Sequence, residues 1–433
     1  MLPCIKIKLG VTEKLLHYIW EHHHFNFQDL RTVDGQAVEI IFSGIHNHNQ
    51  GPDFLDARIR IANSLWAGAV ELHVYSSEWE QHGHSDDPNY QQVILHVVWE
   101  HDKELVLNFP TLVLNGRIST ILFERYRELM ERDHFIPCAG KVAGLQNDLM
   151  QNWIRQVSIE RMEVRVADIR QLLQENNRHW EEVFWWLVAR NFGQKVNSTA
   201  FFNMARTIPL SILTRHKHQI IQVEALLFGQ AGLLDHRYRE NYPNLLIKEY
   251  RFLRKKYGLK KSFDPVYFLR MRPANFPTVR LAQLSMLIHQ SSHLFSLARE
   301  TDDLDTFMGY LQVTANDYWH YHYRFDESVS FRPKTLGGQM IRNLLANTII
   351  PVLYAYGLEH ASCSLKQKAL QWFESIEAED NSITRGMVNA GFENQHALHS
   401  QALVHLKRNY CDQRLCLQCA VGHGLLAASN ERL

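Results

Sequence analysis

The amino-acid sequence predicts an α+β protein: a mixed α/β sheet domain over residues 1–133, followed by a large all-helical domain over residues 134–433. Three observations predict it. Polar and apolar residues alternate between Asp53 and Tyr75, and VILHVVWE from Val93 is a near-continuous apolar run, so both stretches read as strands. After about residue 140, stretches such as LMQNWIRQVSIERMEVRVADIRQLLQE, HWEEVFWWLVARNFG and HQIIQVEALLFGQAGLL space their apolar residues three and four apart, the period of helices. Three of the six cysteines fall in the last 25 residues and close the helical part with a thiol cluster.

Taken in order, TEKLLHYIWEHHHF sets Leu15, Leu16, Ile19 and Trp20 on one helical face, with Thr12 as the cap and His22, His23 and His24 as the helix end. Glu13 and Glu21 are read chiefly as solvated. After the Asp34-Gly35 turn, VEIIF reads as a buried strand, and GIHNHNQGP as a loop delivering His46, His48 and Asp53.

Next come two half-buried strands. Asp56, Arg58 and Arg60 alternate with Ala57, Ile59 and Ile61, and Glu71 and His73 alternate with Val70, Leu72 and Val74. A two-residue turn at Asn63-Ser64 would set Ala57 opposite Val70 and Asp56 opposite Glu71. Asp56, Arg58, Glu71 and His73 would then share a face, and Asp53 would reach it through a bulge or a strand start at Pro52. Beyond them, SSEWEQHGHSDDPNY is a polar loop or short helix holding His82 and His84. Imidazoles beside carboxylates suit zinc or manganese, although His82 and His84 also fit an exposed loop and His96 a hydrogen-bonded core.

Composition bounds the partners. The 433 residues carry 46 Lys plus Arg against 46 Asp plus Glu, so no global charge draws the chain to nucleic acid or membrane, and such a partner needs a local patch. Eleven of the 25 histidines lie between His17 and His101. No apolar run approaches the roughly 18 residues of a spanning helix, and MLPCIKIKLG lacks a signal-peptide core, so a cytoplasmic location is expected.

The local patch is KEYRFLRKKYGLKK, Lys248 to Lys261, where Arg251, Arg254, Lys255 and Lys256 are interleaved with Tyr250, Phe252 and Tyr257. It reads as a solvated helix face with inward aromatics, or as a track for DNA or RNA. Arg272, Arg280, Arg332 and Lys334 could extend it. In the tail, Cys411, Cys416 and Cys419 have the spacing of thiolates that converge on zinc or an iron–sulfur cluster, with Cys363, Cys138 or His423 as fourth ligand, or else are reduced core cysteines.

Two resemblances add to this. Pro52-Asp53 with Glu71-Leu72-His73 resembles the Pro-Asp and (Asp/Glu)-x-Lys halves of the PD-(D/E)xK nuclease-like superfamily, whose hairpin holds a divalent cation over a scissile phosphate and whose first helix often lends an acidic residue. The resemblance implies Asp53 and Glu71 as carboxylates on Mg or Mn, with His73 in the place of the lysine. It implies a metal-dependent phosphodiesterase or nuclease with Asp53, Glu71 and His73 as catalytic residues, and Asp53, Asp56, Glu71, His73, His82 and His84 as a wider metal set. The alternatives are a non-catalytic module binding nucleic acid or protein on a degenerate nuclease-like fold, and a zinc hydrolase built on His73, His82, His84 and His96. Some proteins of that superfamily carry iron–sulfur clusters.

Over nearly its full length the chain also resembles an uncharacterised, domain-of-unknown-function family of bacterial proteins. GPDF at Gly51, WAGAVELHVYSSEWEQHGH at Trp66, QVEALLFGQAG at Gln222, RPANFPTVRLAQL at Arg272 and the cysteine-rich tail carry that likeness.

Overall fold

The structure, a computed structural model, describes residues 10–260, 264–291 and 293–427; Lys261 of the basic segment lies outside them. The fold is α+β, a mixed sheet followed by many helices. The chain divides into two compact units: Met1–Trp153 with Gly386–Phe392 and Leu406–Leu433, and Ile154–Arg385 with Glu393–His405. Where the sequence suggests one boundary at 133/134, the first unit runs on to Trp153 and regains the tail. Helical periodicity marks where secondary structure changes, and long-range packing decides which segments share a core.

In the first unit, helix α1 (Glu13–Glu21) starts at Thr12, whose hydroxyl accepts the Leu15 N–H, and buries Leu15, Leu16, Ile19 and Trp20. The sheet contains β1 (Val38–Phe42), β2 (Ile45–His46), β3 (Phe54–Ile61), β4 (Ser64–Tyr75), β5 (Val93–Glu100) and β6 (Thr111–Val113). Its order is β1-β3-β4-β5-β6, with β2 also paired to β3. The first pairings are antiparallel, whereas β4–β5 and β5–β6 are parallel. β1 is an edge strand whose last residues, Ile41 and Phe42, are exposed, rather than the buried strand its apolar run suggests: among the described residues nothing covers either face at this end. β5 and the second half of β4, Ala69–His73, are buried on both faces, where the alternation suggests a half-buried strand, because parallel pairing puts this part of the sheet between other elements.

The β3–β4 register differs from the expected one by two residues. Ile61 pairs with Ser64 and Ile59 with Trp66, so the turn residues are Ala62 and Asn63, Ala62 taking a positive φ of 51°. A slip of two preserves which side chains share a face. Between Phe54 and Ala57 the ladder bulges, Asp56 adopts φ 60°, and Phe54 comes opposite Val70. The bulge turns Asp56 out to solvent instead of setting it opposite Glu71, and leaves Asp53 beside Glu71.

The second unit is built almost wholly of helices around one large apolar core that includes Phe184, Phe228, Leu253, Phe307, Trp319 and Phe373. No helix among the described residues is long and apolar enough to cross a membrane.

Candidate metal centre

β4 supplies the first two ligand-type side chains, Glu71 and His73, on one face of a buried strand. The crossover to β5 supplies two more. Ser76 and Ser77 hydroxyls and the Ser77 N–H donate to the Asp102 carboxylate, which ties the start of the crossover to the end of β5. A short helix, α2 (Glu78–Gln81), follows; its buried Trp79 packs against the rings of His73, His84 and His96. His82 caps that helix, and Gly83 at φ 73° reverses the chain so that His84 returns to the same point. Tyr90 stacks on His84 with ring centroids 3.9 Å apart.

These parts converge. His73 Nε2 lies 3.2 Å from His82 Nδ1 and 3.6 Å from Glu71 Oε1, and His84 Nε2 lies 3.3 Å from the same Oε1. The three imidazoles bring ligand nitrogens within 4.8 Å of one another. Two ligands on one zinc-sized ion at 2.0–2.1 Å stand about 3.4 Å apart, and the His73–His82, His73–Glu71 and His84–Glu71 separations lie close to that value. His84 Nε2 is buried with no hydrogen bond although it faces a carboxylate oxygen, as expected where an ion belongs between the two. His96, buried on β5, makes a 2.9 Å hydrogen bond from Nε2 to His73 Nδ1, so it orients His73 from behind and is not itself in the cluster.

A carboxylate group adjoins the imidazoles. The Asp53 N–H donates to Glu71 Oε2 at 3.0 Å, and the Leu72 N–H donates to Asp53 Oδ2 at 2.9 Å. His17, from α1, brings Nε2 to 3.2 Å of that same Oδ2. Glu13, one turn earlier on α1, is close enough to feel the charges of Asp53, His17 and His82. Desolvation, followed by repulsion from Asp53, holds the Glu71 carboxyl well above the usual carboxylate range. Desolvation, then Glu78 and Asp53, raises Glu13 as well. Burial pushes His73 down to about 2 and His96 down to about 3, so both rings are neutral at ordinary pH, the form in which imidazole ligates.

A family model matches residues 13–382 of the 433. The chain belongs to the family described as Protein of unknown function (DUF2851). No curated protein and no solved structure matches it. In this DUF2851 chain, of the residues singled out from sequence, Asp53, Glu71, His73, His82 and His84 come together. Asp56 does not. Glu13, read chiefly as solvated, and His17, not singled out, both face the site; their i, i+4 spacing on an amphipathic helix was the available signal.

The other candidates lie elsewhere. The helix Asn241–Tyr257 exposes Arg251, Arg254, Lys255 and Lys256, turns Tyr250 and Leu253 inward and leaves Phe252 out. Lys256 Nζ stands 5.2 Å from the Tyr257 ring. Arg251, Arg254 and Lys255 border a surface hollow of about 390 Å³ with Tyr250, Gly258 and Leu259. Arg280 and Lys334 do not extend this surface: both are buried, Arg280 bonding Gln283 and Asn275, Lys334 bonding the Arg332 carbonyl. Cys411 is near enough to Cys138, Cys416 and Cys419 to feel their charges; Cys363 is exposed in the second unit, and His423 Nε2 is bonded to the Leu417 carbonyl.

Proposed function

We propose that the first unit is a divalent-metal-dependent hydrolase, a phosphodiesterase of nuclease type, with the ion held by Glu71, His73, His82 and His84. One observation carries the reading: ring nitrogens of His73, His82 and His84 lie within 4.8 Å of one another, and Glu71 Oε1 stands 3.6 Å from His73 Nε2 and 3.3 Å from His84 Nε2. Three nitrogens and one oxygen suit zinc or manganese better than magnesium, which takes oxygen ligands. The phosphodiester part rests on the resemblance of Pro52-Asp53 and Glu71-Leu72-His73 to the metal-holding hairpin of the PD-(D/E)xK superfamily.

A cation held there would supply a Lewis acid for a phosphate oxygen and an acidified water. The chain's own groups do the rest. Asp53 Oδ2, fixed by the Leu72 N–H and with His17 Nε2 3.2 Å away, keeps a carboxylate in one place beside Glu71. Glu13, shifted upward by burial, is suited to hand a proton to a leaving oxygen. His73 is neutral and cannot offer the permanent charge of a lysine, so its role changes from cation to ligand.

The test is hydrolysis of DNA, RNA and a bis-aryl phosphate by the purified full chain with Zn, Mn or Mg. Zinc- or manganese-dependent cleavage is expected in the wild type, with none in Glu71→Gln; equal activity in both removes the reading. A second reading, nucleic-acid binding without catalysis, rests on the cationic hollow at Arg251, Arg254 and Lys255. Metal binding without cleavage of any substrate, joined to salt-sensitive nucleic-acid binding, favours it.

A further inference from the structure

Helix α1 offers a further pair of ligand-type side chains. His17 and Glu21 stand four residues apart, one turn of the helix and on the same side of it. β2 supplies His46, and the loop that follows it supplies His48 and Asp53. That loop is held from inside: Asn47 Nδ2 donates to the Pro52 carbonyl at 2.9 Å and to the Gln50 carbonyl at 3.3 Å, and the Asn47 N–H donates to the Asp53 carbonyl at 2.7 Å. His46 pairs with Phe54 across the ladder, and the two rings stack with centroids 4.9 Å apart. Backbone pairing and ring stacking thus set His46 and Asp53 side by side on adjoining segments.

Atom and ring distances join the four side chains. His17 Nε2 stands 3.2 Å from Asp53 Oδ2, His46 Nδ1 stands 3.8 Å from Glu21 Oε2, and the His17 and His46 rings meet edge-on with centroids 5.2 Å apart. His46 is close enough to feel the charges of His17, Glu21, His48 and Asp53 together. Two donors on one zinc-sized ion stand about 3.4 Å apart, so each pair is near the spacing that a shared ion sets. His17 Nε2 is buried and makes no hydrogen bond although a carboxylate oxygen lies within reach, the same sign that marks His84 in the first site. A plain histidine–aspartate pair would align its N–H on that oxygen.

We propose that His17, Glu21, His46 and Asp53 hold a second divalent cation, beside the one at Glu71, His73, His82 and His84. Two imidazole nitrogens and two carboxylates suit zinc or manganese. His17, Glu21 and His46 stand outside the Pro-Asp and Glu-x-His residues of the hairpin, so the site adds donors that the hairpin lacks. The ion-free side chains stand as two pairs, and binding draws His46 with Glu21 toward His17 with Asp53. All four are part-exposed, from 17% at His17 to 44% at Glu21, so the second ion is the weaker bound and the more open to solvent. The Asp53 N–H bond to Glu71 Oε2 makes the two sites adjoin. What the second ion does rests on the hydrolase reading, since adjoining cations clamp the attacking and leaving oxygens of a phosphate; its binding stands apart from that reading.

The test is equilibrium dialysis of the chelator-stripped full chain against zinc, and separately manganese, from nanomolar to millimolar, with bound metal counted per chain and circular dichroism on every variant. About two ions per chain are expected at saturation, one in a tight step and one in a weaker step. His17→Ala and His46→Ala should lose the weaker step and keep the tight one, and His82→Ala should do the reverse. Glu21→Gln, at an exposed position of α1, should weaken the second step with the fold intact, which decides the assignment if an alanine variant misfolds. One ion at saturation in the wild type overturns the second site and leaves the first. A weaker step that survives unchanged in the folded variants at His17, His46 and Glu21 overturns it as adventitious binding elsewhere. A wild type without the tight step, whose weaker step His46→Ala removes, sinks the hydrolase reading and leaves this site standing.

Discussion

The backbone N–H of Asp53 donates to Glu71 Oε2 while the N–H of Leu72 returns a hydrogen bond to Asp53 Oδ2, so two carboxylates are clasped across a bulged hairpin. Burial first, and then the like charge of Asp53, raise the Glu71 carboxyl, against the lowering effect of the Asp53 N–H that the clasp directs at it.

Ion binding should therefore release a proton. Glu71, held above the carboxylate range, carries a proton at neutral pH in the ion-free protein and must lose it to ligate. Zinc affinity should rise with pH between 6 and 8, by up to about tenfold per pH unit for one proton released. Calorimetry in buffers of different ionisation enthalpy measures this, and a pH-independent affinity with no proton released would contradict it.

His82 is exposed, so His82→Ala should leave the unfolding temperature of the first unit nearly unchanged while abolishing tight zinc binding. His96 acts through His73, and His96→Asn should weaken binding roughly 10–100-fold, the usual effect of losing an outer partner of a ligand. Zinc titrations of both variants, with circular dichroism, check the pair of expectations.

In the second unit Glu224 is fully buried, accepts from the Tyr242 hydroxyl and the Trp319 indole N–H, and is pushed up by desolvation to about 7. A carboxyl with a raised folded-state value binds more protons folded than unfolded between about 4.5 and 7, so stability falls as pH rises through that window. The wild type should lose on the order of 2 kcal/mol between pH 5 and pH 8 relative to Glu224→Gln. Urea unfolding at the two pH values measures the difference, and parallel pH profiles would refute it.

Gly68 on β4 has no room for a side chain. An added β-carbon would lie 2.4 Å from the Gln92 carbonyl oxygen and 2.6 Å from Ile94 Cγ2, where β5 comes alongside. Backbone cannot yield as a flexible side chain does. Gly68→Ala should destabilise the first unit by about 1–3 kcal/mol, read as a lowered unfolding midpoint; an unchanged midpoint would show that β5 moves freely.

Much of this was legible along the chain because strand and helix periods are local. The alternation at Ala57–Ile61, the Thr12 cap and the helical texture beyond residue 140 all sit where the residues point, whereas Val70–His73 is buried on both faces. The hairpin's exact pairing was not, since Ala62 at positive φ and the bulge at Asp56 are backbone choices that no side-chain pattern announces.

By itself the sequence determined the order of elements, the face shared by Glu71 and His73, and the tail spacing of Cys411, Cys416 and Cys419, all set by short-range geometry. Only the tertiary structure decided that Glu13 and His17 look inward, that Asp56 looks outward and that Cys138 joins the tail. Those outcomes depend on which segments exclude water from which others, and contacts across tens to hundreds of residues leave no periodic trace in the residues between them.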